Sequence, residues 1–214
     1  MDQIEKRHTQ TLIEERLNAI THGIGALLGI AALILLVIFN TGKTDWSLFS
    51  VVIYGISIII LFSSSTMYHA IQAEKQKHYF RIIDHISIYL LIAGTYTPVA
   101  LIALEQSKGW PIFWLVWGIA LLGLVLKLFF TGRFEVFSVL LYLVMGWLIV
   151  LDFSNLADFI GSNGTLLLFS GGMFYTFGIV FYAIHRIPFN HVIWHLFVLG
   201  GAVCHFLLVF FYVI

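Results

Sequence analysis

The chain has 214 residues, of which 60% are hydrophobic and only 10% charged, and its eleven basic and eleven acidic side chains cancel. A soluble domain carries about 25% charged residues, so this chain has too little charge to coat a water-facing surface, and lipid is the expected solvent. The neutral balance excludes nucleic acid as an expected partner, and the single cysteine, Cys204, cannot form an internal disulfide.

Residues 1–18 hold Asp2, Glu5, Lys6, Arg7, Glu14, Glu15 and Arg16. They read as an amphipathic cytoplasmic arm rather than a cleavable leader, because the apolar run that follows is too long for a signal sequence. Residues 19–214 read as one transmembrane domain. A membrane-crossing helix needs about 20 mostly apolar residues, and seven stretches meet this: 20–39, 46–68, 82–104, 111–130, 134–152, 163–184 and 192–213. The fifth is the shortest, with a charge-free run of only 136–151. Turn or charge signals separate the runs: Asn40-Thr-Gly-Lys, Glu74-Lys-Gln-Lys, Gln106-Ser-Lys-Gly, Thr131-Gly-Arg, Ser162-Asn-Gly and His185-Arg-Ile-Pro. The expected fold is an all-α integral membrane protein, a seven-transmembrane helix bundle.

Basic residues orient such a bundle, since cytoplasmic loops are enriched in lysine and arginine. With the N-terminus cytoplasmic, Lys6, Arg7, Arg16, Lys75, Lys77, Arg81, Lys127, Arg133 and Arg186 face inside, and only Lys43 and Lys108 face outside. The C-terminus is then extracytoplasmic, and the cytoplasmic (inner) membrane is the expected location. Gly25 and Gly29, Gly118 and Gly123, Gly171-Gly172 and Gly200-Gly201 read as close helix contacts. Trp46, Tyr79 and Trp110 at span ends read as interfacial anchors.

Ionisable groups within or beside a span are rare and each requires an account. His191 and His195 stand four apart, so on a helix both rings leave one face and can meet one metal ion at about 2.0–2.1 Å. Alternatively, each histidine simply bonds a neighbouring helix. Topology favours the metal. His69 ends the second span, Asp84 begins the third, and the His191 pair begins the seventh, so all four fall at the cytoplasmic end. Ser65 lies one turn from His69 on the same face, either as a donor into the site or bonded to its own helix backbone. The remaining groups carry weaker expectations. His22 joins the polar cluster or caps a helix. His85 points about 100° away from Asp84. His205 lies about 15 Å along the helix from His195, too far to share an ion. Asp152 is expected to be solvated at the outer side, His185 interfacial, and His8 and His78 exposed.

These residues resemble the hemolysin III family, the bacterial branch of the progestin and adipoQ receptor superfamily. The resemblance spans essentially the whole chain. Its motifs are Asn18-Ala-Ile-Thr-His-Gly-Ile-Gly, Ser65-Thr-Met-Tyr-His69, Asp84-His-Ile-Ser-Ile-Tyr, Gly94-Thr-Tyr-Thr-Pro98 and His191-Val-Ile-Trp-His195. It implies seven helices and a zinc ion held by His69, His191 and His195, with Asp84 against a zinc-bound water. It also implies kinship with metal-dependent lipid hydrolases and a name drawn from haemolysis. The expected activity is therefore zinc-dependent hydrolysis of an amide or ester bond in a membrane lipid, with Asp84 as proton acceptor and Ser65 as donor. The alternatives are a non-catalytic sensor or regulator with structural zinc, and a cytolysin. The last is disfavoured because no span has a continuous polar face to line a pore.

Overall fold

The computed structural model describes residues 10–184 and 186–214. His8, His185 and the charged residues of the arm up to Arg7 lie outside them. All regular structure among the described residues is helical: α1 (Leu12–Ile38), α2 (Ser47–Ala70), α3 (Glu74–Pro98), α4 (Gly109–Phe130), α5 (Glu135–Gly146), α6 (Phe153–Ala183) and α7 (Asn190–Leu208). A π turn extends α3 over Val99–Ala103, a 3-10 turn follows α5 over Leu148–Asp152, and a second π turn extends α7 over Val209–Val213. Among the described residues six helical stretches are long and apolar enough to cross a membrane, with Glu135–Ala183 running as one continuous stretch. The chain is thus an all-α multi-pass membrane protein.

Three boundaries differ from the sequence expectation. Thr11 and Glu14 close a reciprocal capping box, Thr11 N–H donating to Glu14 Oε2 at 2.8 Å and Glu14 N–H to Thr11 Oγ1 at 3.2 Å. This starts α1 at Leu12, so residues 12–18 are its first turns. The charged run Glu74-Lys-Gln-Lys opens α3 rather than breaking the chain. The break expected at Ser162 lies inside α6, marked only by a kink at Gly161, whose φ of +66 a side chain would strain.

The packing is inverted relative to a soluble protein. The buried face of α1 carries Glu14, Asn18, His22, Gly25, Gly29 and Ala32, while Leu27, Ile34 and Ile38 point outward. In lipid, small residues admit close helix approach and polar ones find partners inside. A Cβ at Gly29 would sit 2.8 Å from Ile58 of α2, so α1 and α2 meet nearly backbone to backbone. α1 packs on both α2 and α7, α2 on α3, and α6 on α7. The start of α1, the end of α2 and the starts of α3 and α7 therefore gather at one end of the bundle.

Candidate metal centre

α2 carries His69 into its last turn, where the ring is 1% exposed. α7 begins abruptly. Pro188 disfavours helix before it, Phe189 takes a positive φ of 56, and Asn190 Nδ2 donates to the Phe181 carbonyl at 2.9 Å. The helix therefore opens one residue before His191 and sends His191 and His195 from its first two turns toward α2. One ligand atom from each of His69, His191 and His195 lies within 4.8 Å of the others. Ring centroids are 5.2 Å apart for His69 and His191, 4.9 Å for His69 and His195, and 4.7 Å for His191 and His195. Three rings at this spacing are positioned to hold one metal ion.

The far sides of two of the rings support that reading. His195 Nδ1 donates to the Asn18 carbonyl at 3.3 Å, with Thr21 Oγ1 at 3.5 Å. That leaves Nε2 as its lone-pair nitrogen. His69 Nδ1 lies 2.8 Å from Glu15 Oε2, and its Nε2 is buried without a hydrogen-bond partner among the described residues. A buried acceptor left bare is costly, and a cation at the centre of the triad would satisfy it. Three imidazoles suit zinc, and equally copper, iron or nickel. Among the described residues they are fewer than the four ligands of a closed structural site, the number an open site uses.

Asp84 and Ser65 stand beside the triad. Ser65 is 1% exposed, one turn before His69 on α2, and the Asp84 carboxylate lies close enough to Ser65 and His69 to interact with both. His85 Nδ1 donates to the Arg81 carbonyl at 2.7 Å and lies 3.8 Å from Asp84 Oδ2, so its ring stays against the carboxylate. Beyond it, Lys127, only 1% exposed, donates to Glu135 Oε2 at 2.8 Å, and Arg81 stands 3.7 Å from Glu135 Oε1.

His22 enters the cluster without joining the triad. It caps nothing; its ring stacks on His195 at 3.6 Å and 9°, and meets the edge of Phe62 at 4.9 Å. His205 sits apart on α7 with Nε2 at 3.3 Å from the Leu168 carbonyl. Asp152 is not solvated. Its carboxylate accepts from Ser107 Oγ at 2.6 Å, Lys108 N–H at 2.9 Å and Asn155 Nδ2 at 2.7 Å, which closes the loop between α3 and α4. Sequence reasoning missed Glu15, Asn18 and Thr21 as neighbours of the site. The available signal was helical spacing: Glu15, Asn18 and His22 recur at three and four residues, the period of one helix face.

An apolar cavity opens between α3, α5, α6 and α7, bordered by Leu91, Leu143, Ile179 and Val198. It reaches Tyr182 and Trp194, and the Tyr182 ring lies 6.2 Å from His191. The cavity thus runs from the bundle interior to the edge of the triad.

Residues 10–206 match the family described as Haemolysin-III related. The chain is 45% identical to Hemolysin-3 of Bacillus cereus over 97% of its own length and 95% of that protein's. It is 48% identical to a Hemolysin-3 homolog of Bacillus subtilis (strain 168), covering 94% and 95%. It is 29% identical to the human monocyte to macrophage differentiation factor, covering 94% and 84%.

Proposed function

The chain belongs to the haemolysin-III related family, within the progestin and adipoQ receptor superfamily, and on that premise we propose that it is a zinc-dependent hydrolase of an amide or ester bond in a membrane lipid. The observation that carries this reading is the convergence of three imidazoles on one point beside a carboxylate and a hydroxyl that no ligand role consumes. When bound, zinc supplies Lewis acidity and a water of lowered pKa. His69, His191 and His195 hold it through one ring nitrogen each. Asp84 orients the attacking water and takes its proton on a carboxylate oxygen. Ser65 offers its one O–H donor to the charge that develops on the substrate carbonyl. The cavity ending at Tyr182 and Trp194 has the lining an acyl chain requires, so the labile bond of a lipid reaches the site while its tail stays in apolar surroundings.

In this reading the bundle has seven spans, N-terminus cytoplasmic and C-terminus extracytoplasmic, in the cytoplasmic membrane. The twelve residues of α5 and five of the 3-10 turn after it rise about 28 Å together at 1.5 and 2.0 Å per residue, close to the hydrocarbon thickness of about 30 Å. The site then faces the cytoplasmic leaflet.

The test is lipid analysis of vesicles made from bacterial polar lipids and carrying the purified protein with zinc, with chelator, or as Asp84→Ala. Loss of one lipid class with appearance of its free acid, only in the first sample, is the expected result. The same lipid profile in all three removes hydrolysis. A non-catalytic regulator is the competing reading, favoured by ligands drawn from both α2 and α7, which an ion would pin together. It predicts that chelation lowers the unfolding temperature while Asp84→Ala changes nothing measurable.

A further inference from the structure

Glu15 touches no ligand position itself, yet it is bound into the site from behind. Its Oε2 accepts from His69 Nδ1 at 2.8 Å, and its Oε1 accepts from Lys77 Nζ at 2.9 Å. Lys77 is fixed in turn. It donates to the carbonyls of Tyr68 at 3.2 Å and Ile71 at 3.4 Å, where α2 ends, and lies 4.9 Å over the Tyr68 ring. The three charged or polar partners come from the first turn of α1, the last turn of α2 and the first turn of α3. The chain of contacts runs Lys77, Glu15, His69, and ends on the bare Nε2 of His69.

We propose that Glu15 is a positioning residue for the metal centre, holding His69 in the Nδ1–H form with Nε2 aimed at the ion, and that Lys77 holds Glu15 in place. The inference rests on the metal reading given above. A neutral imidazole carries one proton, and the group that accepts it decides which nitrogen is left to bind. A carboxylate accepting from a ligand histidine also raises the basicity of the ligating nitrogen. Among the described residues, no other acceptor bonds His69 Nδ1. Without Glu15 the ring loses its orientation, and the Lys77 ammonium is left uncompensated where a cation must bind. Lys77 therefore serves the site only while Glu15 is present, and becomes a liability when it is absent.

The experiment is zinc competition titration of the full-length protein in detergent, with thermal unfolding of each metal-free sample as a check of fold. Removal of such a supporting group lowers metal affinity about 10–100-fold, and that loss is expected for Glu15→Ala. Glu15→Gln, whose amide oxygen still accepts from Nδ1, is expected to lose less. Lys77→Met in the Glu15→Ala background is expected to recover part of the loss, which a merely structural role for Glu15 does not predict. Wild-type affinity in Glu15→Ala, alongside lost binding in His191→Ala, overturns the proposal and leaves the triad standing. Equal losses in Glu15→Ala and Glu15→Gln with no recovery on adding Lys77→Met also overturn it. If His191→Ala binds zinc as wild type does, the metal reading falls and takes the proposal with it.

Discussion

Replacing His22 by phenylalanine separates a supporting ring from a metal ligand. His22 is 3% exposed, and neither ring nitrogen has a hydrogen-bond partner among the described residues. A neutral imidazole so enclosed leaves one donor and one acceptor unsatisfied, at about 1–3 kcal/mol each. Phenylalanine keeps a flat ring against His195 at the 3.6 Å stack and against the Phe62 edge, and it removes both polar atoms. A gain of at least about 1 kcal/mol is expected, or roughly 2–4 °C in unfolding temperature for a chain of this size. Zinc affinity should change by less than a few fold. His22→Ala should do the opposite: it opens a cavity worth about 2–5 kcal/mol and frees His195 to leave the triad. Thermal unfolding in detergent with and without chelator measures both terms. A His22→Phe protein that loses zinc as completely as His195→Ala refutes the reasoning, because it makes a His22 nitrogen a ligand.

Glu135→Ala strips the partner from Lys127, which is 1% exposed. Breaking a buried pair costs about 3–5 kcal/mol, and the lower end is expected because the Glu135 side chain is 31% exposed. Adding Lys127→Met should recover most of that loss in a thermal unfolding scan. Asp152→Ala removes three hydrogen bonds to one carboxylate, each worth about 1.5–3 kcal/mol for a charged acceptor. It should lower the unfolding temperature while leaving zinc affinity unchanged, because Asp152 is remote from the triad. Gly29→Leu drives a side chain into Ile58 of α2, and overpacking of this kind costs about 1–3 kcal/mol. An unfolding temperature equal to wild type would show that α1 and α2 are not in close contact there.

The triad was legible in the sequence because two of its members share one helix face and the third follows from topology. His191 and His195 are four apart, and the bias of lysine and arginine brings His69 to the same end. The partners on α1 were not legible in the same way. Glu15 and Asn18 precede the apolar run, so a hydropathy boundary drawn near residue 19 assigns them to an arm. The capping box at Thr11 instead carries the helix seven residues further toward the N-terminus and turns both residues inward. The first turns of α3 were hidden by the same cause, since a charged helix beyond the apolar layer has the composition of a loop. Lys127 and Asp152 counted only as boundary charges. Each is enclosed by partners from another element, Glu135 across the turn after α4 and Ser107 and Lys108 from the loop before it. Such pairings have no periodicity to reveal them. The expected fifth span was weak in sequence for a reason visible in the fold: α5 is short and a 3-10 turn leads from it directly into α6.

A metal ion held by three imidazoles underlies the proposed chemistry, and X-ray absorption spectroscopy of the purified protein reads that coordination directly. The spectrum should show zinc with three imidazole nitrogens at about 2.0–2.1 Å and one further oxygen ligand, reduced to two imidazoles or to no metal in His69→Ala. A metal-free wild-type protein, or a zinc shell unchanged when His69 is removed, would contradict it.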